Sequence, residues 1–258
     1  MNSLKVGSAA WREFVFSTEP VRVMNGQQRP SVRVAPIFNG VKTPVDGATR
    51  ILALYILEYL QLCGVIRRWK IWPFEWTPHG ASRPTAPFVL AEFAGDQQLC
   101  VLQVRARRYL TAVVQNAFEA EAKLAESAGM RHVVWTDEAP LNAGARRLFF
   151  LLRGARTTEC ASDDIDALVA FVRDRQRVTI REIAEAGHAP SLIFPAVRLQ
   201  RLFLPLTERP GDQTLVTTVY QTDPRAFFMQ CAFDPQAWWK RLPCKVEKSV
   251  SRAGEEIA

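Results

Sequence analysis

Two apolar runs, at residues 85–90 and 99–105, flank a polar segment that carries Gly95 and Asp96. Apolar runs separated by such a turn predict a β-hairpin. Because side chains alternate between the two faces of a strand, Gln103 and Arg105 are expected on the same face of the second strand. A hairpin of this kind is typical of the central sheet of an α/β domain.

Helical patterns lie on both sides of the hairpin. Apolar residues cover most of a helix surface over residues 46–63, where Gly64 suits the C-cap, and they return at helical spacing over residues 113–125. Residues 132–135 then predict a buried strand. A further amphipathic helix around residues 148–152 places four arginines toward solvent, namely Arg146, Arg147, Arg153 and Arg156. The order helix, hairpin, helix, strand predicts an α/β domain.

Two stretches before the hairpin have weaker patterns. Residues 1–30 are polar and rich in turn-forming residues, which predicts a packed arm, and residues 31–36 alternate like a short strand. Residues 65–76 interleave basic and aromatic side chains, and Pro73 restricts this stretch to an edge strand. It is either a nucleic-acid surface or a half-buried edge strand with its polar residues outside.

A second group of elements follows the polar stretch 157–164, which predicts a domain boundary. Residues 165–172 have the apolar spacing of a short helix. Thr179 and Glu182 have the spacing of a capping box, which predicts the start of the next helix. A separate helical unit is therefore expected to begin here.

The third helix of this unit is expected over residues 192–203, after Pro190 in its first turn. The pattern turns Val197, Leu199 and Leu202 inward and leaves Arg198 and Arg201 outside. Residues 204–206 and 214–220 then predict a wing. Three short helices with a wing indicate a winged helix-turn-helix, whose third helix would enter the major groove of DNA. Such units also serve as protein-docking modules, so both contacts stay open.

The last segment, residues 226–258, combines aromatic with basic residues. Its aromatic residues are Phe227, Phe228, Phe233, Trp238 and Trp239. They need a cover, which is either the winged unit or a partner. We therefore divide the chain into residues 1–157, which include the arm 1–30, a winged-helix domain over residues 158–225, and a tail over residues 226–258.

The net charge of the chain indicates a class of partner. The 258 residues include 33 basic and 26 acidic ones, for a net charge of +7 and a pI near 9.4, so a polyanion, by default a nucleic acid, is the expected partner. The five cysteines are scattered without metal-ligand spacing and indicate reduced thiols. No signal-peptide pattern opens the chain, and the longest apolar run, residues 51–57, is too short to span a bilayer. We expect a cytoplasmic protein that binds no membrane.

Taken in this order, the elements resemble the TnsA family, the endonuclease subunits of heteromeric Tn-seven-type bacterial transposases. The matching pieces are residues 87–90, 103–106, 119–121 and 134–137 and the winged unit after Thr157, within residues 20–220. The resemblance implies a restriction-endonuclease-like domain of the PD-(D/E)xK type, with a mixed sheet flanked by helices, followed by a winged helix. In that family the first domain cuts the non-transferred strand at transposon ends. The second helps contact DNA and the AAA+ regulator.

The resemblance also implies which positions carried the chemistry. The family's helix glutamate falls at or near Arg50, its strand aspartate on Pro87, its glutamine on Gln103 and its lysine on Arg105. Only the glutamine is kept. A proline offers no metal ligand, an amide alone does not hold a hard divalent cation, and arginine does not titrate as a water-orienting lysine can. No intact catalytic site, metal site or cofactor is therefore expected.

Several functions follow from the resemblance. The first is a catalytically inactive TnsA-like subunit of the bacterial nucleoid. It would bind transposon-end DNA, bridge a TnsB-like transposase and the AAA+ TnsC-like regulator, and have an intact TnsA-like paralogue as a further partner. The second is an active, divergent, Mg²⁺-dependent endonuclease in which Glu58, Glu92 or Asp96 replaces a lost acid. A third is a TnsA-fold repressor or host factor.

The substituted positions reverse the local charge of the family's site. Guanidinium groups at Arg50 and Arg105, beside an amide, would hold a DNA phosphate without metal. The alternative is that Arg105 pairs with a carboxylate of the fold such as Glu58. The candidate DNA contacts are Arg105, Arg107, Arg108, Arg198 and Arg201.

Overall fold

A computed structural model describes residues 5–21, 33–34, 37–38, 41–42, 45–78, 84–138, 143–155, 161–221 and 223–232. Its helices are α1 (Ala9–Ser17), α2 (Ala48–Leu62), α3 (Ala112–Ser127), α4 (Ala143–Gly154), α5 (Ser162–Arg175), α6 (Ile180–Glu185), α7 (Ile193–Arg198) and α8 (Pro224–Gln230). Its strands are β1 (Arg33–Val34), β2 (Ile37–Phe38), β3 (Val41–Lys42), β4 (Val45–Asp46), β5 (Ile66–Ile71), β6 (Val89–Phe93), β7 (Leu99–Val104), β8 (Arg131–Trp135), β9 (Arg177–Thr179) and β10 (Leu215–Thr217). The chain is thus a mixed α/β protein.

A four-stranded mixed sheet has the order β5-β6-β7-β8. The first three strands are antiparallel, and β8 runs parallel to β7. The predicted hairpin is confirmed as β6 and β7, and the turn between them includes Gly95 at φ +85°. The first strand begins at Val89, later than predicted, and the second ends at Val104. Arg105 therefore lies beyond the strand, and the expectation that it shares a strand face with Gln103 is wrong.

Helices flank this sheet on both faces. On one face, α2 packs in a core that includes Ala91 and Leu102 of the hairpin. On the other face, residues of α1 and α3 pack with Leu90 and Val101. Every residue of β6 and β7 is buried, because both faces of the hairpin are covered.

Helix α2 confirms the expected buried helix. Its apolar residues point to nearly all sides, and those from Ile51 to Leu57 are all buried. The helix ends in a Schellman-type turn, in which Gly64 N–H bonds the Gln61 carbonyl and Val65 N–H bonds the Leu60 carbonyl. Gly64 adopts a φ of +69°, where a residue without a Cβ carries no steric cost.

The N-terminal arm contains helix α1, which the pattern does not predict. The Ser8 hydroxyl caps its first turn, and Trp11 and Val15 are its buried residues. Lys70 of β5 donates to the carbonyl oxygens of Val15 and Thr18, at the C-terminal end of the helix. Two buried residues one helical turn apart are too weak a pattern to predict a helix.

Strand β5 is an edge strand of the four-stranded sheet. Of the two interpretations of residues 65–76, the structure therefore agrees with the half-buried edge strand. Pro73 lies just beyond it. The Arg68 guanidinium pairs with Glu13 of α1 and with Glu92 of β6, while Lys70 is buried against α1. Most basic side chains of this strand are therefore used inside the fold.

The later elements follow the chain order α5, β9, α6, α7, β10. The apolar positions predicted for the first of these helices are buried in α5, and the Thr179–Glu182 capping box is present at the start of α6. Strand β9 was not predicted, because it has only three residues. It pairs antiparallel with β10, and Phe203 forms a bridge to Thr217 on the other side of β10. Residues 204–206, expected as a strand, lie outside the strands.

Helix α7 is shorter than the predicted helix over residues 192–203. It follows a 3₁₀ turn at Pro190–Leu192 and ends at Arg198, and Gln200 takes a φ of +57° that turns the chain away. Leu199, expected inside, is 59% exposed. The helix packs against α4 and α5.

Helix α8 begins the predicted tail. Its Phe227 and Phe228 are fully buried. Phe228 contacts the rings of Phe93 and Trp135 in the four-stranded sheet, and Phe227 stacks on Phe149 of α4. The first part of the chain thus supplies aromatic cover for these two residues.

Some expectations fall outside the described residues. Those on residues 22–32, on Arg156 and residues 157–160 of the expected boundary, and on Phe233, Trp238 and Trp239 belong to this group. Within the described part of the chain, no helix has the length and apolar character that crossing a membrane requires.

Candidate nucleic-acid interface

Two of the positions matched by the resemblance, Pro87 and Gln103, lie at one end of the hairpin. Val89 is opposite Leu102 in the β6–β7 register, so Pro87, just before β6, and Gln103, near the end of β7, lie at the same end. Both are buried. The hairpin thus brings Pro87 and Gln103 to the same end of the sheet.

The Gln103 side chain is bound inside the fold. Its amide donates to Oε2 of Glu121 on α3 at 2.7 Å. The same Oε2 lies 3.4 Å from Nε2 of His132 on β8, and all three side chains are buried. Gln103 shares its strand face with Val101 and so lies on the α3 side of the sheet.

Arg50 belongs to α2, the helix on the opposite face of the sheet. Its guanidinium carbon lies 5.1 Å from the centre of the Trp72 ring and 5.2 Å from that of Phe88. Both distances are within the range of a cation–π contact. The Arg50 guanidinium is thus in contact with aromatic rings, whereas Gln103 contacts Glu121 on the other side.

The three acids named above as replacement ligands are each paired with an arginine. The contacts are Glu58 with Arg153 at 2.7 Å, Glu92 with Arg68 at 2.5 Å, and Asp96 with Arg225 at 2.5 Å. The Arg225 hydrogen bond lowers the pKa of Asp96. Both carboxylate oxygens of Glu58 accept hydrogen bonds from one nitrogen of Arg153, and among the described residues Arg105 forms no ion pair with Glu58.

The described residues include no group of three or more His, Cys, Asp or Glu side chains that could hold a metal ion. At the end of the hairpin, the amide of Gln103 and the carboxylate of Glu121 already bind each other. A hard divalent cation needs several oxygen ligands, and the Gln103–Glu121 pair does not supply such a set.

The arginine loop, residues 105–111, leads from β7 to α3. Arg105 is exposed, and its backbone N–H bonds the Trp135 carbonyl at 3.0 Å. Among the described residues, none forms an ion pair or a hydrogen bond with the Arg105 guanidinium. Its charge is therefore available at the surface.

Several contacts fix the rest of the arginine loop. The backbone N–H of Arg107 bonds Asp137 Oδ1 at 2.7 Å, and its guanidinium pairs with Glu138. Leu110 is buried, and its carbonyl accepts a 3.2 Å bond from the Gln115 amide. The loop is anchored at both ends, between β8 and α3.

Two side chains of the loop face solvent together. Arg108 is exposed, and its guanidinium carbon lies 4.8 Å from the centre of the Tyr109 ring. Tyr109 is itself 54% exposed. The loop thus presents Arg105, Arg108 and an aromatic ring at the surface.

Arg198 and Arg201 have different surroundings from those expected. Arg198 is half-buried and donates to the Leu152 carbonyl of α4 at 3.4 Å. Arg201 pairs with Asp166 of α5 at 2.5 Å. Both guanidinium groups therefore contact neighbouring helices.

Sequence reasoning missed Tyr109, Glu121 and His132 as members of this region. Glu121 shares the buried face of α3 with Gln115 and Ala125, and a polar residue on an otherwise buried face was the available signal. The position of Tyr109 directly after two arginines was a second signal.

Searches against protein families and curated proteins returned no family model and no curated protein that matches this chain.

Proposed function

We propose that the chain is a TnsA-like subunit without nuclease activity that binds transposon-end DNA. The observation that carries the proposal is that the acidic side chains are paired while two arginines are exposed. Glu58, Glu92 and Asp96 are each paired with an arginine, while Arg105 and Arg108 are exposed beside the end of the hairpin. A region that lacks available acids and presents guanidinium groups attracts a phosphate backbone and not a metal ion.

The architecture supports this assignment. The order helix, hairpin, helix, strand, on which the resemblance rests, recurs as α2, β6–β7, α3 and β8 in one mixed sheet. We assign that sheet to a restriction-endonuclease-like domain. The order α5, β9, α6, α7, β10, with β9 paired to β10, is the basis for assigning a winged helix to the later elements.

The two units would have different partners. Helix α7 contacts α4, which reduces the surface that it can offer to a DNA groove. We therefore place the DNA contact on the arginine loop and assign the winged unit to protein docking. The partners would be a TnsB-like transposase and an AAA+ TnsC-like regulator in a bacterial cell, with an intact TnsA-like paralogue supplying the cleavage.

A second candidate function rests on Glu121. This acid contacts the one glutamine that the resemblance retains, 2.7 Å away. In a divergent Mg²⁺-dependent endonuclease, Glu121 would replace the acid lost at Pro87. Its burial and its bond to Gln103 make this candidate the weaker one.

Cleavage and binding assays on the same DNA test the proposal. The purified chain should bind transposon-end DNA in a gel shift and leave that DNA and a plasmid uncut with Mg²⁺ or Mn²⁺. Cleavage that disappears in Glu121→Gln but persists in Glu119→Gln would favour the endonuclease. Absence of any DNA binding would overturn both functions.

A further inference from the structure

The Arg108–Tyr109 pair is the exposed feature of the arginine loop that phosphate binding does not explain. A phosphate contact requires a cation, which Arg105 already supplies. The Tyr109 ring has one face next to Arg108 and is still 54% exposed. An exposed ring beside a guanidinium offers a flat apolar face on which a planar ligand can stack.

We propose that Tyr109 and Arg108 form a stacking site for an unpaired nucleobase, with Arg105 on the adjoining phosphate. Every base has a π face, so an aromatic ring backed by a guanidinium binds unstacked bases with little sequence preference. Bases inside a duplex do not offer that face. The inference rests on the proposed DNA binding and specifies its substrate as DNA with an unpaired end.

The residues on both sides of Tyr109 in the arginine loop are anchored. Arg107 is fixed to Asp137 and Glu138 on one side of Tyr109, and Leu110 is buried on the other. The Thr111 hydroxyl then caps α3 directly after the loop. The backbone that carries Tyr109 is thus anchored on both sides, so little backbone freedom is lost when a base stacks on the ring, which favours binding.

The charge of the loop favours a nucleic acid over a protein partner. Arg105 and Arg108 are exposed within four positions of each other, and the loop itself contains no acidic residue. The acids nearest in the contacts described, Asp137 and Glu138, are engaged by Arg107. A strand that leaves the duplex would bring both a phosphate and a free base to these groups.

Fluorescence anisotropy on paired DNAs tests the inference. A blunt duplex and the same duplex with a short unpaired extension carrying 2-aminopurine would be titrated with the full chain. We expect tighter binding to the extended DNA and quenching of the 2-aminopurine. Tyr109→Ala should reduce affinity for the extended DNA about 5-fold or more and leave the blunt duplex nearly unchanged, whereas Tyr109→Phe should keep the preference.

Phe14→Ala is the matched control, because Phe14 is 56% exposed on α1, away from the loop. Equal affinity for the two DNAs, unchanged in Tyr109→Ala, would overturn the stacking site and leave the proposed DNA binding standing. If neither DNA binds, the proposed function fails, and the stacking site fails with it.

Discussion

The side-chain amide of Gln103 donates a 2.7 Å hydrogen bond to Oε2 of Glu121, between strand β7 and helix α3. Both residues are buried, and His132 lies beside the same oxygen. The glutamine that the resemblance retains thus satisfies a buried acid of the fold. Substitutions at this pair should act on stability.

Glu121→Ala should lower the free energy of unfolding by about 1–3 kcal/mol, because it leaves the Gln103 amide buried without its acceptor. Gln103→Leu combined with Glu121→Leu should cost less than the sum of the single leucine variants, because both partners of the bond disappear together. Urea unfolding measures both effects. Glu119→Ala, exposed on the same helix, is the control. A Glu121→Ala variant as stable as the wild type would contradict the bond.

Arg105→Ala should weaken binding to all DNA sequences alike, since a phosphate contact carries no sequence information. The slope of log K against log salt should fall by about 0.9, the value for one phosphate, and EDTA should have no effect on binding. Titrations at several salt concentrations measure the slope. Arg146→Ala removes an exposed arginine of α4 as a matched control. An unchanged slope in Arg105→Ala would remove this residue from the interface.

Arg198→Ala and Arg201→Ala distinguish two roles for helix α7. If the helix reads DNA, the double variant loses affinity and keeps its stability. The contacts with Leu152 and Asp166 predict the reverse, namely a stability loss of about 1 kcal/mol or less for each and unchanged DNA binding. Thermal unfolding and gel-shift titration on the same preparations separate the two outcomes.

The Asp96–Arg225 pair should make stability depend on pH. The folded pKa of Asp96 is lowered from 3.8, first by the Arg225 hydrogen bond and then by the Gln98 backbone N–H. The contribution of a lowered carboxyl pKa is complete above the unfolded value and is lost as the pH falls through the folded value. The difference in Tm between wild type and Asp96→Asn should therefore be present at neutral pH and shrink in acid.

Asp96→Asn keeps an acceptor for the Gln98 N–H, so it isolates the ion pair from the turn. Arg225→Ala is the partner variant and should show the same loss in acid. If the difference in Tm between wild type and Asp96→Asn is unchanged at a pH below the folded pKa of Asp96, the Asp96–Arg225 ion pair does not account for that difference.

The sequence predicted the elements that depend on a pattern among neighbouring residues. The period of α2, the cap at Gly64, the hairpin around Gly95 and the capping box at Thr179 all depend on neighbouring residues, so the sequence contains them. Helix α1 has only two buried residues and strand β9 only three residues in all, so neither has an apolar pattern that could be recognised. The end of α7 depends on a left-handed turn at Gln200, a residue type that seldom indicates one.

The candidate site was less predictable, because its contacts join distant parts of the chain. Glu58 could have met Arg105, but α4 brings Arg153 to it instead. Glu92 could have replaced an acid of the site that the resemblance implies, but Arg12 of α1 and Arg68 of β5 pair with it instead. Which arginine reaches which acid depends on the packing of helices on the sheet, and charge patterns do not determine that packing.

Phe228 of α8 has a consequence for biosynthesis. Its ring contacts Phe93 and Trp135, which belong to strands made long before it. While the ribosome is still translating α5 to α7, these two side chains lack the part of their cover that Phe228 supplies, and the nascent chain leaves that part of the core exposed. Completion of the first core must wait until α8 leaves the exit tunnel. A stop codon just before Pro224 should therefore give an aggregating product and not a smaller folded domain.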